Sequence, residues 1–228
     1  MRAVIFVNGT LAKNRMILDS IQPDDTIIAA DGGTQQCIAL GLTPDIIVGD
    51  LDSLSPGDKK SLEAKGKEFI VHPRMKDYTD LELAINHAVN LGAIDILLIG
   101  IMGGRIDQTI ANIFLLTRSE WSQVHFSLVT DTEIGRLVRS GENLTIHGKT
   151  GDTVSLIPFS PTVEGITTNG LKWSLEEAEL ELGTTLGISN ELSNHTANIQ
   201  IHNGNLLVVH RRQSTPDSSL IKPKGGLK

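Results

Sequence analysis

Hydrophobic positions along the chain follow two rhythms. From residue 1 to about 130, short and nearly unbroken apolar runs, "AVIFVN", "TIIAAD", "DIIVGD", "EFIVHP", "DILLIG" and "HFSLVTD", alternate with segments of helical period, among them "TQQCIALG", "TDLELAINHAVNLG" and "DQTIANIFLLTRS". A strand that is apolar at every position has no solvent face, so this alternation predicts a parallel sheet covered by helices on both sides. From about residue 133 the pattern changes. "IGRLVRS", "ENLTIHG", "DTVSLIPF", "TVEGITTNG", "ANIQIH" and "NLLVVHRR" read as strands between turn residues with no long helix, which predicts an antiparallel sandwich or barrel. The expected layout is an α/β unit over residues 1–132, an all-β unit over 133–213 joined at "TDTEIGRL", and a polar, Pro- and Gly-rich tail over 214–228 with little reason to fold.

Composition narrows the class. Apolar residues make up 39% of the 228, enough for a sizeable core. No run approaches the roughly 18–20 apolar residues of a membrane-spanning helix, and "MRAVIFVNGT" turns polar too soon for a secretory signal, so the reading is a cytoplasmic protein without a membrane partner. The single cysteine, Cys37, excludes an internal disulfide and a cysteine-rich zinc site, and "QQCIALG" reads as the apolar face of a helix. The net charge of -7, with no Lys/Arg cluster interleaved with aromatics, speaks against nucleic acid as a partner. If phosphates bind, a metal has to help them.

Ligands of open parallel sheets bind beyond the carboxyl ends of the strands. Those positions are acidic here: Asp31 in "ADGG", Asp50 and Asp52 in "GDLDS", Lys76, Asp77, Thr79 and Asp80 in "HPRMKDYTD", Arg105 and Asp107 in "GIMGGRIDQ", and Asp131. Several have a local explanation. Asp31 before two glycines is a turn former, Thr79 and Glu82 fit a capping box, and Asp107 fits an N-cap. Capping leaves Asp50 and Asp52 unexplained, because in extended chain residues i and i+2 point the same way and hold two like charges within ~7 Å. A cation between them would resolve the repulsion. With no cysteines and few histidines nearby, a hard cation with oxygen ligands, Mg²⁺, fits best, and Mg²⁺ is typically shared between protein carboxylates and substrate phosphates. Arg105, after a glycine turn at a helix start, could then hold phosphate oxygens. The glycine stretch is not the dinucleotide fingerprint, since Arg105 stands where the third glycine belongs.

The ordered set "ADGG", "PDIIVGDLDS", "KDYTDLELAI", "GGRIDQTIAN", "GLKW" and "GTTLGISNE", spread over nearly the whole chain, resembles the thiamine pyrophosphokinases. The resemblance implies an N-terminal Rossmann-like α/β nucleotide domain followed by an antiparallel β-sandwich. It also implies a homodimer whose active sites are shared between subunits, and transfer of pyrophosphate from Mg-ATP to the hydroxyl of thiamine with AMP leaving. Carried over by position, it makes Asp50, Asp52 and Asp80 the acids around Mg²⁺ and the triphosphate. Asp31, Lys76, Asp77 and Thr79 become their neighbours, with Lys76 a phosphate contact and Asp77 and Asp80 the candidate bases. Arg105 and Asp107 become a nucleotide-side and substrate-orienting pair. Gln108 stands where many bacterial members have histidine; glutamine also occurs in the family, so no protonatable group is expected to be essential there. In the second half, Trp173 resembles the indole that stacks on the thiamine pyrimidine, with Ser189 and Asn190 beside it. Without the resemblance, Trp173 reads as a packing aromatic and the other two as turn residues. Two other readings keep the same nucleotide rim: a nucleotidyl transferase, which would release pyrophosphate instead of AMP, and a nucleotide sensor without turnover.

Overall fold

The computed structural model describes residues 1–11 and 15–213; the expected tail, 214–228, lies outside the described residues. In chain order the first part runs β1 (Arg2–Phe6), α1 (Arg15–Asp19), β2 (Thr26–Ala30), α2 (Gly33–Ala39), β3 (Ile46–Gly49), α3 (Pro56–Ala64), β4 (Glu68–Val71), α4 (Asp80–Asn90), β5 (Asp95–Ile99), α5 (Ile106–Leu115) and β6 (His125–Val129). The second part is all strand: β7 (Glu133–Arg139), β8 (Asn143–His147), β9 (Thr153–Pro158), β10 (Thr162–Asn169), β11 (Ala178–Glu181), β12 (Asn190–Glu191), β13 (Thr196–Gln200) and β14 (Asn205–Arg211).

Strands β1 to β6 pair parallel, as their continuous apolar runs require. β1 and β5 are buried at every position but the first, while β9 alternates between buried and half-buried residues, the mark of a strand with one core face. Helix α4 buries Leu81, Ala84, Ile85 and Ala88 at 3–4-residue spacing against one face of the sheet. Cys37 of α2 sits in the apolar cluster on the other face, and burial, with Asp45 adding to it, pushes its thiol pKa up to about 12. It is an inert packing group, as read from sequence.

The change of rhythm at residue 133 marks a reversal of strand direction within one sheet. Thr130 Oγ1 accepts from the N–H groups of Thr132 and Glu133 at 3.3 and 3.0 Å, the chain turns in three residues, and β7 pairs antiparallel with β6. The ten-stranded sheet therefore continues through the expected boundary at 132/133, in the order β12-β9-β14-β7-β6-β5-β1-β2-β3-β4. A separate four-stranded antiparallel sheet, β11-β10-β13-β8, packs on its far end. Val138, Leu156, Leu206 and Val208 from the large sheet meet Ile146, Val163, Ile166 and Ile199 from the small one. The sandwich thus borrows one of its layers from the α/β sheet.

Helix α3 has no place in the hydrophobic pattern because it buries only Leu62; Ser55 at its N-cap, accepting from the Asp58 N–H, and Pro56 at its first turn define it instead. β11 and β12 are too short to show a period.

Candidate functional site

The acidic rim forms where β2 and β3 end. Asp31 stands at φ 45° and Leu51 at φ 64°, both in the left-handed region that side chains seldom adopt. Gly49 between them, at φ 150°, is strained for any side chain, and a Cβ there would crowd Asp80 Oδ1 at 3.2 Å and the Asp31 Cα at 3.3 Å. That explains the glycine before the acidic pair. The two acids do not project from extended chain, as their spacing predicted. Leu51 turns the backbone so that Asp50 Oδ1 accepts the Asp52 N–H at 3.1 Å. The outcome is a tighter cluster than the strand geometry would give, and it recruits Asp31. One oxygen from each of Asp31, Asp50 and Asp52 lies within 4.8 Å of the others. Ser53 Oγ donates to Asp31 Oδ1 at 2.7 Å and fixes that carboxylate. The charge of Asp50 is the main cause that raises the Asp52 carboxyl above its ordinary value, with desolvation and the charge of Asp31 adding to it and Arg74, 3.6 Å away, opposing. Three oxygens that repel one another at this distance form a donor set suited to a hard divalent cation.

The loop before α4 supplies the next groups. Thr79 is the N-cap and accepts the Glu82 N–H at 3.2 Å. Glu82 does not complete the capping box; its carboxylate is buried in an ion pair with Arg118. Asp80 lies beside Gly49 and takes the Lys76 ammonium at 2.5 Å, so it neighbours the three-acid cluster while carrying its own cation. Asp77 is exposed and makes no ion pair among the described residues.

Arg105 occupies the N-cap position of α5 in extended conformation. Asp107 is therefore inside the first turn and not the cap. Arg105 grips it with a fork, Nε–Oδ1 3.1 Å and Nη2–Oδ2 2.5 Å, and this hydrogen bond is the first cause that lowers the Asp107 carboxyl below its ordinary value. Both side chains are exposed, which leaves the remaining guanidinium hydrogens free for an anion. Between α5 and the acids lies a cleft of about 230 Å³ whose walls include Asn8, Asp31, Thr79, Asp80, Gln108 and Asn112. Asn8 and Asn112 were not singled out in the sequence. Asn8 stands two residues beyond the end of β1, where the strand-end rule points; Asn112, one helical turn after Gln108, carries no sequence signal of its own.

Trp173, Ser189 and Asn190 also come together. They line a second cavity of about 370 Å³ with Leu156, Leu186 and Ile188. Asn190 Oδ1 accepts the Trp173 N–H at 3.2 Å and its amide donates to the Trp173 carbonyl at 2.7 Å, so the buried Asn190 holds the backbone that presents the indole. Trp173 itself is 55% exposed, with the Lys172 ammonium 4.6 Å from its ring centroid. Ser189, at φ 62°, is a third strained residue in a predicted site. Leu186 and Ile188, both exposed, were not predicted; their place in "GTTLGISNE" was the available signal.

The two sites lie far apart in the chain. Asp50 follows β3 and Asn190 opens β12, the ninth and first strands in the order of the large sheet. Eight strand spacings separate them, on the order of 38 Å measured along the sheet.

Residues 18–128 match the family model described as "Thiamin pyrophosphokinase, catalytic domain", and residues 142–208 match "Thiamin pyrophosphokinase, vitamin B1 binding domain". A thiamine pyrophosphokinase of Bacillus subtilis (strain 168) is 30% identical over 182 residues, which cover 80% of this chain and 85% of that protein. Among solved structures, the fold is similar to thiamine pyrophosphokinase from Bacillus subtilis at a TM-score of 0.82 and 25% identity, covering 93% of this chain and 100% of that one. It is also similar to thiamin pyrophosphokinase from Geobacillus thermodenitrificans at 0.79 and 27%, covering 94% and 99%.

Proposed function

This chain belongs to the thiamine pyrophosphokinase family, and from that premise we propose that it transfers the pyrophosphoryl group of ATP to the hydroxyl of thiamine, giving thiamine pyrophosphate and AMP. The observation that carries the reading is the three-carboxylate cluster of Asp31, Asp50 and Asp52 at the carboxyl rim of the parallel sheet, beside a cleft that Asp31, Asp80 and Gln108 help to line. These acids would hold Mg²⁺, with Asp80 next to them. Mg²⁺, when bound, supplies charge neutralisation on the phosphate oxygens. Lys76 and the Arg105–Asp107 fork bind and orient the triphosphate. The thiamine oxygen attacks the β-phosphorus as the bond to the AMP oxygen breaks, and Asp77 or Asp80 takes the hydroxyl proton. Positioning and charge stabilisation account for the rate.

The sandwich half binds thiamine, with the indole of Trp173 against the pyrimidine and Ser189 and Asn190 beside it; a cationic thiazolium suits an aromatic site next to acids. Reacting atoms must come within ~3.5 Å, yet the two sites of one chain stand eight strands apart. A homodimer in which one protomer's sandwich completes the other's phosphate site removes the distance. No described helix is long and apolar enough to cross a membrane.

Incubation of the purified protein with Mg-ATP and thiamine, with chromatography of nucleotides and thiamine species, tests the reading. AMP and thiamine pyrophosphate are expected together and only when both substrates are present. Free pyrophosphate with an adenylated acceptor would assign the nucleotidyl transfer instead, and no thiamine-dependent AMP would refute both.

A further inference from the structure

Away from the rim, the open end of the sandwich gathers cations that the sequence keeps apart. Residues two apart on a strand share a face, so Arg136 lies on the side of β7 that sends Val138 into the core between the sheets, and His210 on the side of β14 that carries Leu206 and Val208. In the register of this pair Arg136 faces Val208 and Ile134 faces His210, and Arg212 lies just past the strand end. Across from them runs β8, the edge strand of the small sheet. The space between is a cavity of about 190 Å³ lined by Arg136, Thr145, His147, His210 and Arg212 over an apolar floor. An adjoining depression shares His147 and Arg212 and adds Lys149.

Among the described residues that line these two depressions Asp152 alone is a carboxylate, and it is already used; Asp95 and Glu142 line a further depression that Arg136 borders. Asp152 is buried and accepts from the Lys149 and Gln213 N–H groups, each at 2.9 Å, while its Oδ2 lies 3.0 Å from His210 Nε2. Arg136, Lys149 and Arg212 form no ion pair among the described residues. In a chain with 27 carboxylates against 20 lysines and arginines, two cations without an ion pair among the described residues around one concavity, and a third in the depression next to it, are not explained by the average charge. A concave wall of one sign concentrates counter-ions, and guanidinium groups match tetrahedral oxyanions in geometry. The volume lies below the roughly 300 Å³ at which cofactor-sized ligands begin to fit.

We propose that this end of the sandwich, between β7, β14 and β8, is a binding site for a compact phosphate-type oxyanion, either inorganic or the phosphate end of a small organic molecule. It stands on β7 and β14, five and six strands from β3, and does not depend on the catalytic assignment.

The test titrates inorganic pyrophosphate, and separately AMP, into the full-length protein by calorimetry in EDTA, where an acidic rim without metal repels anions. One anion per chain is expected, with affinity falling as salt rises. The double variant Arg136→Gln/Arg212→Gln, checked for an unchanged thermal melt, should bind at least tenfold more weakly, and Arg105→Gln should bind as the parent does. Tighter binding of pyrophosphate assigns an inorganic ion and tighter binding of AMP an organic phosphate; either supports the site. Absence of binding in EDTA, equal affinity in the double variant, or loss of binding in Arg105→Gln would overturn it.

Discussion

The acidic rim and the pocket around Trp173 are built by opposite means. Strained backbone is common to both, at Asp31 and Leu51 in the rim and at Ser189 in the pocket, but the rim collects like charges, the Asp52 carboxyl being raised first by the charge of Asp50. The pocket is held by satisfied hydrogen bonds, Asn190 clamping both the N–H and the carbonyl of Trp173. The rim therefore destabilises the empty fold in return for a ligand, while the pocket stabilises the fold that presents it. Mutations should separate activity from stability at the first site and couple them at the second.

The largest effect is expected from Asp52→Asn. Relieving repulsion at an exposed site should leave the melting temperature unchanged or raise it, while turnover falls about 10²- to 10³-fold, the usual cost of removing one group that stabilises transition-state charge. Near-normal turnover would remove Asp52 from the site; a fall in melting temperature of several degrees would break the contrast.

A second test asks whether the two regions act across subunits. Asp52→Asn and Trp173→Ala each damage one half of a site. Refolded together in equal amounts and assayed at thiamine well below its KM, where the Trp173→Ala loss shows in full, half the dimers carry both, and each of these has one intact site of two, so at least about a quarter of parental activity should return. Failure of the mixture to exceed the separate variants would mean that each chain completes its own site.

Within the sandwich, Trp173→Ala should raise the KM for thiamine about 2- to 30-fold, corresponding to about 0.5–2 kcal/mol of ring contact, with little change in the KM for ATP. Asn190→Ala should act on the fold as well. Its carboxamide is buried and takes three hydrogen bonds with Trp173 and Glu191, so about 1–3 kcal/mol of stability should go with it. Equal melting temperatures for the Asn190 and Trp173 variants would show that the clamp does not hold the pocket.

The two regions also differed in how far the sequence disclosed them. The parallel strands were legible because burial on both faces forces apolar residues at every position, and the strand-end rule then led to Asp31, Asp50, Asp52 and Asp80. The means of convergence was not legible. It depends on the dihedral angles at Leu51 and Asp31, which neither residue type prefers. In the sandwich, alternation gave six strands, but not that β7, β9 and β14 extend the first sheet, because the pattern at residues 130–133 is the same for a linker and for a tight reversal. Trp173 and Asn190 came only through resemblance: their juxtaposition rests on a single antiparallel bridge between Leu171 and Leu192 and the Lys172 N–H bond to the Glu191 carbonyl, too short a pairing to leave a pattern. The cations around Arg136 were invisible too, lying on three strands that are distant in sequence.

The smallest effect expected is a pH dependence in the sandwich, opposite in sign to that of the raised Asp52 carboxyl at the rim. Burial opposes the charge of Asp152, but the N–H groups of Gln213 and Lys149 and the contact with His210 outweigh it and hold the carboxyl below its ordinary value. A depressed carboxyl adds stability that is present above its unfolded value of about 3.9 and is lost as pH falls through the lower folded value. Asp152→Asn should therefore melt below the parent at pH 7, with a gap that narrows below about pH 4. A gap that stays constant from pH 7 to pH 3 would show that Asp152 contributes through packing and hydrogen bonding alone, its charge adding nothing to the hold on His210.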